Sequence, residues 1–213
     1  MKETRLPFTS ESILAFQAGR KTQTRRVVRP QPHQLTGPAS DWWEWGDYLV
    51  ETKGLADLLV AHCPYGQPGD IILVTETWRV ADLVHYAAPG EKWQFVIEYP
   101  SDGTRSPWIS LSDERLKQLR FFHESMVPDN RWRLPRYMPK EFVRYRWPLD
   151  SLGVERLQDI TLADIFAEGM TNDDWYETAP ADWFSALWNR LHPECPWESN
   201  PWVYVLGLGE ASR

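Results

Sequence analysis

Apolar residues fall in short runs separated by glycines and prolines, and the period of each run names an element. Thr9 or Ser10 can cap a helix reaching about Ala18, with Ile13, Leu14 and Phe16 on its apolar face, and Gly19 is a natural stop. Val27 and Val28 read as a short strand, and Pro30 and Pro32 as breakers. Residues 33–63 read as an irregular insertion carrying Trp42, Trp43 and Trp45. The turn at 66–70 launches the clearest strand, 71–78, whose continuous apolar start suggests a central position. Glu76 near its end then needs a partner, because a carboxylate on a buried strand is costly alone.

Residues 79–130 are mixed, with a strand over 93–99 and a short helix over 112–120 capped by Ser112. Residues 142–157 suggest a strand pair turning at 150–153. Thr161 and Asp164 have the form of a capping box and start a helix through Ile165, Phe166 and Glu168, ended by Gly169. Pro180 opens a helix with Trp183, Phe184, Leu187, Trp188 and Leu191 at helical spacing, and residues 201–208 form a closing strand. Strands outnumber the helices without βαβ regularity. The pattern predicts an α+β domain, a small mixed or antiparallel barrel decorated with helices.

The 213 residues fit one large domain, since no Gly/Ser linker divides them. We expect a single domain over 1–213 with insertions at about 33–63 and 79–130. No apolar run approaches a membrane span, and the charges at Lys2, Glu3 and Arg5 do not fit a signal peptide. Cys63 and Cys195 give no disulfide framework, so two reduced thiols in a cytoplasmic protein are expected. His62, Cys63, His192 and Cys195 are poorly spaced for zinc, and no metal is expected.

Net charge is −7, which at first argues against nucleic acid. The distribution changes that picture. Residues 20–29 hold five basic groups and no acid, and residues 131–146 hold six basic groups and one acid, Glu141. The remainder carries 12 basic against 29 acidic groups, which suits one local anionic ligand better than broad backbone binding. The second basic segment interleaves Trp132, Tyr137, Phe142, Tyr145 and Trp147 with its cations. That is the chemistry of a wall that stacks bases and holds phosphates, or of an amphipathic strand with a solvated basic face. The 13 tryptophans divide between core and stacking platforms in the same way.

The first basic segment reads Gly19-Arg20-Lys21-Thr22-Gln23-Thr24-Arg25-Arg26. Lys21 and Thr24 can be an amine base beside a hydroxyl nucleophile, or part of a basic turn. The run resembles the Gly-x-Lys-Thr-x-Thr-x-Arg signature of ASCH domains, PUA-like β-barrels related to RNA-binding modules. Three further segments agree in order: Gly69-Asp70 entering a strand, 157–161 leading into the helix that ends Ala167-Glu168-Gly169, and the closing 201–205. The stretches 63–70 and 76–78 are similar to those of the larger ASCH-like proteins of bacteriophages and prophages.

Small bacterial members of that family remove the acetyl group from N4-acetylcytidine. The resemblance implies catalytic roles for Lys21, Thr24 and Glu168, with Arg26, Arg25, Glu76 and Trp78 binding substrate and no cofactor. Lys21 can act as base only as a neutral amine, so its ordinary pKa of about 10.4 must fall by about three. Burial and the neighbouring arginines push it down, and a close Glu168 pushes it up. The expected function is an amidohydrolase acting on an N4-acylated cytosine nucleoside or related modified base. The alternative is a PUA-like module that binds RNA or single-stranded nucleic acid without catalysis, or a nuclease. No membrane partner is expected.

Overall fold

A computed structural model describes residues 1–86, 92–118 and 131–209. The chain folds as two compact units. Of the described residues, the first comprises 1–4, 15–72 and 147–209; the second comprises 5–14, 73–86, 92–118 and 131–146. Among the described residues the strands form three separate sheets, mostly antiparallel and none closed on itself, and the fold is mixed α+β. No described helix is long and apolar enough to cross a membrane.

The five-stranded sheet has the order β1-β6-β10-β11-β2, with β1 (Glu3–Pro7), β6 (Ile71–Thr75) and β10 (Arg146–Arg156). The ladder between β11 (Trp202–Leu208) and β2 (Gln23–Val27) sets Leu206 opposite Thr24, Val205 opposite Arg25 and Tyr204 opposite Arg26. Alternation puts Gln23, Arg25 and Val27 on one face of β2, and Thr24 and Arg26 on the other. Val27 and Val203 meet Ile165 of α4 (Leu162–Ala167), and Phe184 and Trp188 of α6 (Pro180–Leu191), in one buried cluster.

The helix at the start of the chain is α1 (Ser10–Gln17), whose Ser12 amide is capped by the Thr9 hydroxyl at 3.2 Å. The capping box on α4 is present in full, and a second one, Thr171 with Asp174, starts α5 (Asn172–Glu177).

Three expectations are corrected. The insertion at 33–63 is ordered: β3 (His33–Gln34), β4 (Trp42–Trp45) and β5 (Tyr48–Glu51) form a sheet, followed by α2 (Thr52–Ala61). Gly46 supplies the positive φ that the β4–β5 hairpin needs, and Trp45 donates to the Pro30 carbonyl at 2.8 Å. The strand pair expected over 142–157 is the single strand β10. Asp150 there is an extra residue in a bulge between Leu149 and Ser151, and the ladder continues past it. The basic run around Lys21 is not only a turn, because β2 begins at Gln23, inside it.

The second unit holds β7 (Arg79–Tyr86), β8 (Lys92–Glu98) and β9 (Ile109–Ser112) in order, then α3 (Asp113–Gln118), capped by Ser112. The end of the helix expected over 112–120 lies outside the described residues. Trp78, Phe95, Ile97, Tyr99, Met138 and Phe142 form its core, and the Tyr99 hydroxyl donates to the Phe142 carbonyl at 2.7 Å.

Phe184 joins α6 to β2, so Phe184→Ala is expected to cost about 3–5 kcal/mol, read by chemical denaturation. A loss below about 1 kcal/mol would show that this cluster does not hold the helix on the sheet.

Candidate functional site

The candidate site is built where the end of α1, the start of β2 and the end of α4 meet. Gly19 has φ +68 and ends α1, and the amides of Arg20 and Lys21 turn back onto the Ala15 carbonyl at 2.9 and 3.2 Å. The Thr22 amide then donates to the carbonyl of Ala167, the last residue of α4, at 2.9 Å. Arg20 donates to the Gly169 carbonyl at 2.9 Å. Gly169 has φ +115, and a Cβ there would stand 3.3 Å from Ala15 and 3.6 Å from Lys21. Glycine therefore both ends the helix and lets the Lys21 stem lie against it.

This docking sets Lys21 directly on Glu168. Its Nζ donates to the Glu168 carbonyl at 2.9 Å and forms a short ion pair with Oε2. Lys21, Thr24 and Glu168 are only 5, 3 and 6 % exposed. Burial pushes the Lys21 amine below its ordinary 10.5, and the charges of Arg26 and Arg25 act in the same direction. Glu168 opposes this by favouring the ammonium, and burial outweighs it.

Arg25 holds the other carboxylate oxygen of Glu168. Its Nη1 donates to Oε1 at 3.1 Å, and its Nε donates to Glu155 at 2.8 Å. Asp164 lies 3.5 Å from Nη2 and also receives the Gln23 amide at 2.8 Å. The guanidinium lies 6.0 Å from the Phe184 ring centroid. The sequence reading makes Arg25 a substrate ligand, but here it is buried among carboxylates and fixes the position of Glu168. Beside this network opens a cleft of about 580 Å³, lined in part by Thr22, Gln23, Glu155, Asp164, Val205 and Gly207.

Thr24 lies on the opposite face of β2 from Arg25, and no hydrogen bond engages its hydroxyl among the described residues. Arg26 shares that face, across from Tyr204, whose ring meets Tyr65 edge-on at 6.0 Å. Burial lowers the basicity of Arg26, and the Tyr65 and Glu168 charges oppose the effect. Burial raises the Tyr65 phenol, and Arg26 draws it back. His192, whose ring lies tilted 4.2 Å from that of Trp188 at the end of α6, is kept below its ordinary value by burial and by Arg26. Sequence reasoning gave no role here to Tyr65, Glu155 or Asp164. The family-like stretch 63–70 was a signal for the first, and the capping box for the last.

Glu76 and Trp78 belong to the second unit. Glu76 is buried and takes two hydrogen bonds from Arg144, both 2.9 Å, and one from Ser101 at 2.6 Å. Arg144 also reaches Asp102 at 2.8 Å and lies 4.0 Å from the Tyr99 ring centroid. The carboxylate that needed a partner has a bidentate one. Trp78 is 0 % exposed and packs in the core, with no ring face open to a base.

Comparison with protein-family models, curated proteins and solved structures returns no match.

Removing one member of a buried ion pair strands the other. Glu168→Leu is expected to cost about 3–5 kcal/mol in chemical denaturation, with part recovered when Lys21→Met is added. A single-variant loss below about 1 kcal/mol would show that the pair is not desolvated in solution.

Proposed function

We propose that the chain is an amidohydrolase that removes an acyl group from an N4-acylated cytosine nucleoside, on a PUA-like scaffold of the ASCH type. The observation that carries the reading is Lys21, a buried amine with lowered basicity held against a buried glutamate. Sequence order supports it too, since Lys21 and Thr24 stand in the signature run and Glu168 ends the helix begun by the capping box.

Lys21 as the neutral amine accepts a proton from the Thr24 hydroxyl or from a water. The freed oxygen adds to the acyl carbonyl, and Arg26 supplies positive charge for the oxyanion. The C–N bond then breaks. The proton held on Lys21 passes to the departing N4 amine, with Glu168 orienting the lysine throughout. If Thr24 attacks, water releases the acyl group from it in a second step. If water attacks, Thr24 positions it. Either route yields a carboxylic acid and the cytosine nucleoside, and neither calls for a cofactor.

The test is chromatographic, following cytidine release from N4-acetylcytidine. Wild-type protein should release cytidine, and Lys21→Ala and Glu168→Ala should lower kcat/KM by about 10²-fold or more. Thr24→Ala should fall similarly. Since the base form of Lys21 is required, kcat/KM should rise with pH toward that lysine's lowered pKa and then level. No release by folded protein at high concentration would reject this substrate. A full rate in Lys21→Ala would reject the mechanism.

A further inference from the structure

We infer that the second unit carries a binding strip for single-stranded nucleic acid, centred on residues 131–137. The aromatics of the basic segment sort into two groups. Phe142 and Tyr145 are buried, as is Trp147 in the first unit, and they serve the cores. Trp132 and Tyr137 are 44 and 53 % exposed, and Leu134 beside them is 52 % exposed. Large rings left in solvent on a protein with so much core to fill point to a ligand with planar faces.

Trp132 and Tyr137 each carry a guanidinium. Arg79 lies 4.5 Å from the Trp132 ring centroid, and Arg136 lies 4.8 Å from that of Tyr137. Backbone bonds between Trp78 and Arg133, 3.1 and 2.7 Å, fasten residues 131–133 against the start of β7 and hold Trp132 beside Arg79. The Trp132 end of the strip is therefore pre-formed.

Charge selects the partner. Residues 131–140 hold Arg131, Arg133, Arg136 and Lys140 and no acid. Next to Trp132, Arg79 pairs with Glu98 at 2.8 Å, and Arg105 reaches the same carboxylate at 3.3 Å, so that triad stays net positive. This concentration of cations stands on a chain of net charge −7. Alternating cations and exposed rings match alternating phosphates and unstacked bases. A duplex hides its base faces, so the fit is to a single strand. Nothing in this inference depends on the Lys21–Glu168 centre being catalytic.

The probe is a fluorescein-labelled oligouridylate of about twelve nucleotides, read by fluorescence anisotropy against the full chain. Binding should weaken with salt, log K falling against log salt with a slope of about −2 to −3 for three or four phosphate contacts. Trp132→Ala and Tyr137→Ala should each weaken binding about tenfold, while Trp132→Phe retains most of it and confirms that the fold is kept. Arg136→Ala should flatten the slope by about 0.7. A duplex of the same length should compete poorly, and polyglutamate should compete only weakly. Absence of binding at low salt overturns the inference. So do full affinity in both alanine variants and equal competition by polyglutamate, the last pointing to an acidic protein partner.

Discussion

The first unit is organised around charge taken out of water. Lys21, Arg25 and Glu168 are all buried, and each carries a desolvation cost that only close, well-aimed partners can offset. That requirement explains the surrounding construction. Gly19 turns the chain so that Lys21 returns over the end of α1, and Gly169 takes the positive φ that ends α4 beside it. Thr22 ties the run to Ala167, so Glu168 has a fixed place from which to meet both cations. Glu155 from β10 and Asp164 from α4 complete the shell around Arg25. The same burial lowers the basicity of Lys21. One physical term thus sets both the packing demand and the chemistry.

Much of this was legible in the chain. Local chemistry announces local structure: Thr9 and Thr161 cap helices, Gly19 and Gly169 end them, and the apolar spacing from Trp183 to Leu191 predicts α6. Lys21 and Glu168 were paired through the order of motifs, and their contact is present. What was hidden depends on partners distant in sequence. β10 reads as two strands because Asp150 and Gly153 look like a turn, and only the ladder to β11 carries the chain through the bulge. The sheet at 33–51 escaped because its tryptophans sit among acids and glycines, without a continuous apolar run. The partners of Arg25 were hidden because they lie 130 and 143 residues away.

The second unit solves the same electrostatic problem for a different end. Arg144 binds Glu76 in a bidentate pair, holds Asp102 and Ser101, and lies against Tyr99. Both oxygens of the Glu76 carboxylate are engaged, which suits a fixed scaffold better than a ligand site. The tryptophans divide along similar lines. Trp45, Trp78, Trp147 and Trp188 are buried core, whereas Trp42, Trp108, Trp132 and Trp175 face solvent. The tryptophans of this chain therefore fall into two groups that burial separates.

The most direct test of the account is the ionisation of Lys21 in the folded protein. The lysine ε-methylene signals can be followed by heteronuclear NMR across alkaline pH, with Lys21→Arg giving the assignment. The account predicts a pKa below the ordinary 10.5, and a further fall in Glu168→Gln, which removes the charge that favours the ammonium. A value at or above 10.5 would contradict burial as the dominant influence on this amine, and a rise in Glu168→Gln would contradict the opposing influence of Glu168.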